Sequence, residues 1–163
     1  MTMQTDVLSY HATTSKVVTT SRVRLKAITV SPATASLRSS AVADPTVSKT
    51  GTYARTAAST TVTVTITAHG LETGDRVFMD FTTGTAVDGV YAVTKTNANV
   101  FTVTTAASTA TSGAVTFYSS ILLELDTYNI VGLPIKIPGE GILCSNGMFV
   151  GVGGSVSATV FYG

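Results

Sequence analysis

Strict alternation of apolar and hydroxyl side chains is the strongest signal along the chain. In Thr61-Val62-Thr63-Val64-Thr65-Ile66-Thr67 the two valines and the isoleucine fall on one face of an extended segment and four threonines on the other, the period-two pattern of a half-buried strand. Residues 155–162 repeat it, with Val156, Ala158, Val160 and Tyr162 on one face and Ser155, Ser157, Thr159 and Phe161 on the other. Turn signals separate such segments at short intervals: Thr73-Gly74-Asp75, Asp88-Gly89, Asn97-Ala98-Asn99, Pro138-Gly139-Glu140-Gly141, Asn146-Gly147 and Gly153-Gly154. Helix-period segments are hard to find, and threonine alone supplies 31 of the 163 residues. With Val and Ile it makes the chain heavily β-branched, which costs rotamer freedom in a helix and favours a pleated sheet. Many short strands joined by tight turns predict an all-β sandwich or small barrel.

Two small polar bridges, 56–60 and 106–112, organise the chain. The first reads as a linker and the second as a wide hairpin tip. Between and just after them lie strand candidates at 61–67, 76–81, 89–94, 100–104 and 114–118, enough for a small barrel of about five strands. The flanks hold candidates at 16–20, 22–30, 121–125, 130–137, 141–144, 148–152 and 155–162. Neither flank closes a sheet alone, so residues 1–50 and 119–163 are expected to pair into one discontinuous host sandwich. Residues 51–118 are then a module inserted at a surface loop, where chains tolerate insertion best.

Charge narrows the function classes. Only 12% of residues are charged, the net charge is +1 and 44% are hydrophobic, a balance that argues against disorder and against a nucleic-acid or membrane-surface binder. No run approaches the roughly 18 apolar residues of a membrane span. The opening Met1-Thr2-Met3-Gln4-Thr5-Asp6 has neither a basic start nor an apolar stretch, so no secretory signal is expected. The single cysteine, Cys144, reads as a small buried hydrophobe.

Five further segments extend the picture through resemblance. Ala68-His69-Gly70-Leu71-Glu72-Thr73-Gly74-Asp75-Arg76-Val77, followed by Val87-Asp88-Gly89-Val90-Tyr91-Ala92-Val93 and Asn99-Val100-Phe101-Thr102-Val103, resembles a small β-module common in phage tail and head proteins. The same module is similar to the first catalytic-cysteine half-domain of ubiquitin-activating enzymes. No catalytic residue carries over, because the half-domain motif contains no cysteine and Cys144 lies outside the match. Ile137-Pro138-Gly139-Glu140-Gly141-Ile142-Leu143 and the ending Ser157-Ala158-Thr159-Val160-Phe161-Tyr162-Gly163 resemble small virion proteins of marine podoviruses, often of jelly-roll type. These resemblances imply a jelly-roll-like β-sandwich with an inserted small β-barrel. They also imply a virion location after folding in a bacterial cytoplasm, and a role in the particle.

Candidate chemistry is sparse. His69 and Asp75 suggest a catalytic or metal pair, but His-Gly-Leu reads better as a strand exit whose ring caps a turn. His11 stands alone near the N-terminus. Glu72, Asp75, Asp80 and Asp88 offer oxygens for calcium at no spacing that a calcium loop uses. Gly139-Glu140-Gly141 and Gly151-Val152-Gly153-Gly154 superficially resemble phosphate loops, yet neither is followed by Lys-Ser/Thr or by a helix, so both read as turns. No catalytic, metal or cofactor site is expected, and the protein is expected not to be an enzyme. Alternation along 22–26 places Arg22, Arg24 and Lys26 on one strand face opposite Val23 and Leu25. As structure, this stripe is a solvated face or an edge guarded against aggregation; as function, it contacts an acidic patch on a partner subunit. Tyr128, Phe149, Phe161 and Tyr162 are candidates for the host core or an intersubunit seam. The expected function is a capsid decoration protein bound to the outer head lattice, with the major capsid protein or other virion subunits as partners. A homo-oligomer, such as a trimer, is expected, with neither nucleic acid nor membrane as a partner. The alternatives are a tail, neck or fibre component and a carbohydrate-binding module, the latter disfavoured by the absence of tryptophan.

Overall fold

The structure, a computed structural model, describes residues 7–32, 39–106, 108–126, 134–154 and 156–163. Tyr128 and the first part of the strand expected over 130–137 lie outside the described residues. The chain is all-β. It opens with β1 (Leu8–Ala12), β2 (Lys16–Thr19), β3 (Val23–Pro32) and β4 (Ser39–Ala43). Seven strands follow: β5 (Ser48–Arg55), β6 (Thr61–Thr65), β7 (Arg76–Asp80), β8 (Gly89–Ala92), β9 (Thr94–Lys95), β10 (Val100–Thr104) and β11 (Thr111–Tyr118). It closes with β12 (Ile121–Asp126), β13 (Pro134–Lys136), β14 (Ile142–Cys144), β15 (Met148–Gly151) and β16 (Val156–Tyr162).

The outer segments of the chain build two antiparallel sheets. The first runs β1-β16-β3-β13, with β14 also on β3, and the second runs β12-β4-β15-β2. Successive strands alternate between the sheets except where β4 and β12, separated by the seven intervening strands, lie side by side. That is the order of an eight-stranded jelly roll, with one position shared by the short β13 and β14. Leu25, Ile28 and Val30 of β3, Val156, Ala158 and Val160 of β16, Val42 of β4 and Met148 and Val150 of β15 fill the space between the sheets. Cys144 joins this core and is fully buried, and burial pushes its thiol up from the ordinary range.

A bulge sets the character of β3. Phe161 pairs with Ala27 but Tyr162 with Leu25, so Lys26 is skipped on the β16 side. On the other side β13 ends at Ala27 and β14 begins at Leu25, and the Pro138-to-Gly141 turn spans the gap. Gly139 and Gly141 have φ of 64° and 81° there, and a Cβ on Gly141 would stand 2.3 Å from the Leu25 carbonyl oxygen. The extra residue switches strand parity, which is how Leu25 and Ile28, three apart, both face inward.

Residues 48–118 form a single antiparallel sheet of order β8-β7-β11-β5-β6-β10-β9. Its two end strands are consecutive in the chain, so the sheet curls until it is nearly closed. Val62, Val64, Phe101, Val115 and Phe117 face inward as its core. The 56–60 bridge is the turn of a hairpin: β5 and β6 pair across it, Tyr53 opposite Val64. Arg55 lies at one end of the barrel and is 6% exposed; its guanidinium donates to Thr105 Oγ1 (2.9 Å) and to the carbonyls of Ala106 (3.1 Å) and Thr109 (3.2 Å).

This unit is packed against the jelly roll. Phe78, Val90 and Tyr118 meet Ala41, Ala43 and Phe149, which face outward from the second sheet, in a third buried cluster. The Tyr118 and Phe149 rings stack at 3.6 Å and Phe78 meets Phe149 edge-on at 5.5 Å. Gly151 is required beneath Phe78, because a Cβ there would lie 2.5 Å from the ring. Arg76 and Glu124 pair across the same seam. The result is three layers: first sheet, second sheet, barrel.

Candidate functional site: an open basic face

Several of the side chains that could carry chemistry are held in structural contacts. His69 is 3% exposed. Its Nδ1 accepts from the Leu71 N–H (3.0 Å), so Nε2 carries the proton and donates to the Asn97 carbonyl (2.8 Å); its ring lies edge-on to Phe101 at 5.1 Å. Both nitrogens are therefore committed to holding two turns of the barrel. Asp75 is turned to the Glu72 N–H (2.8 Å), so the structure does not join His69 to Asp75. Glu72 pairs with Lys95. The Asp88 carboxylate accepts from the Phe81 N–H (2.8 Å); burial, with Asp80 nearby, pushes its carboxyl up to about 7 against that hydrogen bond. Burial raises Asp80 too. Among the described residues no group of three or more His, Cys, Asp or Glu is placed to hold a metal ion, and no helix is long and apolar enough to cross a membrane. Gly151 serves the seam and Gly139 to Gly141 form the β13–β14 turn. A hollow of about 530 Å³ over the outer ends of β5, β6 and β11 is lined by Thr61, Thr63, Thr111, Ser112 and other small residues. Arg55 is its one ionisable lining residue, and the Arg55 guanidinium is held by the loop oxygens named above.

The basic stripe lands where the three-layer arrangement leaves a sheet uncovered. The barrel covers the second sheet, whereas the outward side chains of the first sheet carry no such layer among the described residues. Arg22, exposed, stands just before β3, and Arg24 and Lys26 are half-buried along it. The edge-guarding explanation is corrected: β3 is an interior strand, bonded to β16 on one side and to β13 and β14 on the other. Lys26 Nζ donates to the Glu140 carbonyl (3.0 Å), which holds its charge over the β13–β14 turn. Register adds Lys136, opposite Ala27, and Phe161, opposite Ala27 on the other side and half-buried. His11 on β1 bonds Thr159 Oγ1 (2.8 Å) at the far margin. Two ion pairs are present among the described residues, Arg76–Glu124 and Lys95–Glu72, and neither involves these four cations. Their field is therefore turned outward, with a half-buried aromatic ring beside it.

Of the aromatic candidates, Phe149 belongs to the seam with the barrel and Tyr162 packs against the sandwich core. Sequence reasoning missed Lys136, because its place beside β3 comes from a pairing 109 residues away in the chain. The fold and this face define an all-β jelly-roll sandwich with a docked barrel-like unit. Comparison with protein-family models, curated proteins and solved structures found no match.

Proposed function

We propose that the chain is a non-catalytic structural subunit of a bacteriophage particle, a capsid decoration protein that seats on the outer head lattice through the open face of its first sheet. The observation that supports this reading is the contrast between the two outer faces of one sandwich. One is sealed by aromatic packing against the barrel. The other presents Arg22, Arg24, Lys26 and Lys136 with no described carboxylate paired to them, beside the half-buried Phe161. A cluster of like charges with an apolar group at its flank suits an acidic patch on the major capsid protein. A partner that binds the assembled shell more tightly than its free subunits stabilises that shell by mass action. The motifs resembling phage proteins point the same way.

Quantitative mass spectrometry of purified particles tests the assignment. Decoration predicts on the order of hundreds of copies per particle, as closed shell symmetry requires. A copy number of a few to a few dozen assigns a tail, neck or fibre instead, and absence from particles overturns the reading altogether. A specific hit on a glycan array, with no particle association, replaces it with carbohydrate binding.

A further inference from the structure

We propose that β1 is a pairing edge, on which a second copy of this chain adds its own β1 in antiparallel register across a two-fold axis. This inference is independent of the particle assignment. It comes from comparing how the sheets end. A free strand edge is a template for another strand, and proteins blunt such edges with charge, proline, brevity or cover. Five of the six sheet ends are blunted. β13 carries Pro134 and Lys136 and shares its edge with the three-residue β14; β2 begins with Lys16; β12 carries Glu124, paired with Arg76; β9 is two residues long and ends in Lys95. β8 has no charge, but Gly89 and Val90 are buried and Val90 packs in the seam with the jelly roll.

Among the described residues, β1 has none of these devices. Leu8-Ser9-Tyr10-His11-Ala12 contains no proline, lysine, arginine or carboxylate, it is five residues long, and among the described residues it pairs with β16 alone. It also concentrates the exposed apolar surface: Val7 and Leu8, 55% and 54% exposed, are two of the three exposed large hydrophobics among the described residues. A strand of this kind adds a partner strand through main-chain hydrogen bonds, and side chains select which one.

The occupant is a second β1 for two reasons. An isologous contact needs only one patch, and this patch has no fixed charge to repel its copy, unlike the basic outer face. The sequence is also self-complementary. Antiparallel pairing about Tyr10 sets Leu8 opposite the partner's Ala12, large against small, Tyr10 opposite the partner's Tyr10, and Ser9 opposite the partner's His11. The first sheets of the two copies would join into one continuous sheet, and the basic face would double in extent.

The test uses the full chain. Light scattering of the wild type at high concentration should give the mass of a dimer. Leu8→Lys, which restores the missing edge charge at an exposed site, should give a monomer with unchanged circular dichroism. Val47→Lys, at the third exposed hydrophobic, should leave the dimer intact. Pairing about Tyr10 brings the two Ser9 Cα atoms to about 8 Å from strand spacing and rise, so a nitroxide on Ser9→Cys should show dipolar broadening that Leu8→Lys removes. Cys144 is buried and does not take the label in the folded protein. A wild type that stays monomeric, a trimer, a dimer that survives Leu8→Lys, or a dimer without broadening would each overturn the proposal.

Discussion

The seam between barrel and jelly roll makes a quantitative prediction through Phe78 and Gly151. Phe78 is fully buried, and its ring occupies the space above Gly151, where an added Cβ would come within 2.7 Å of three ring carbons. Phe78→Ala removes a ring that packs against Phe149, at a cost of about 3–5 kcal/mol for a buried Phe-to-Ala change. Gly151→Ala forces the ring to move inside a packed seam, and overpacking of that kind costs about 1–3 kcal/mol. Independent sites would make the double variant worse than either, by about 4–8 kcal/mol in total. The two are not independent. Once the ring is gone the methyl introduced by Gly151→Ala has space to occupy, so the double variant should be no less stable than Phe78→Ala alone, a coupling of about 1–3 kcal/mol. Urea unfolding followed by far-ultraviolet circular dichroism measures all three variants. Strict additivity would refute the seam, because it would mean that Phe78 does not lie on Gly151 in solution.

Three further outcomes follow from single residues. Asp88 has its folded pKa raised to about 7 from 3.8, so the folded state binds the proton more tightly than the unfolded one. Its contribution is intact below about pH 4 and is lost as pH rises through 7. Asp88→Asn should therefore raise the melting temperature at pH 8 and not at pH 4; at about 1.4 kcal/mol per tenfold in proton affinity the ceiling is ~4 kcal/mol, and partial solvent access reduces it to ~1–2 kcal/mol. His69→Phe should cost about 1–3 kcal/mol by stranding the buried Leu71 N–H, and His69→Asn should recover part of it, since Oδ1 can accept in place of Nδ1; nitrogen NMR should show the neutral Nε2–H form in the wild type. Arg55→Lys loses the planar fork that reaches Thr105, Ala106 and Thr109; it should cost about 2 kcal/mol and speed hydrogen exchange at Ala58, whose amide bonds the Ser108 carbonyl.

The strands that alternation predicts are the ones with one dry face and one wet face. β6, β10 and β16 are of this kind, and Val62, Val64, Phe101, Val103, Val156 and Ala158 are buried as the pattern requires. Three strands were not legible, each for a different reason. β4 is Ser-Ser-Ala-Val-Ala, with the sandwich core against Val42 and the barrel against Ala41 and Ala43; two covered faces leave no alternation, and small residues leave no bulk. β5 turns Tyr53 inward together with Arg55, so its buried face reads as half polar, and Gly51 weakens the pattern further. β1 borrows its order from β16. The docking seam had a trace in Val77-Phe78-Met79, three consecutive buried residues in β7, because a strand covered on both sides yields a run instead of an alternation. The basic stripe was legible as a face. That it lies at the centre of a sheet, beside Lys136 and around a bulge at Lys26, depends on pairings distant in sequence.

The central claim is that one face of the jelly roll is sealed by the barrel while the opposite face stands open, and thiol accessibility measures this directly. Cysteine placed at Ala41, 1% exposed in the seam, and cysteine placed at Lys136, exposed on the open face, report on the two sides against the silent background of buried Cys144. Under native conditions Lys136→Cys should react with a soluble disulfide reagent at the rate of a free thiol, and Ala41→Cys should react only as the protein unfolds in urea. Equal and rapid reaction at both positions, in variants that remain folded, would contradict the three-layer arrangement and the docking face that depends on it.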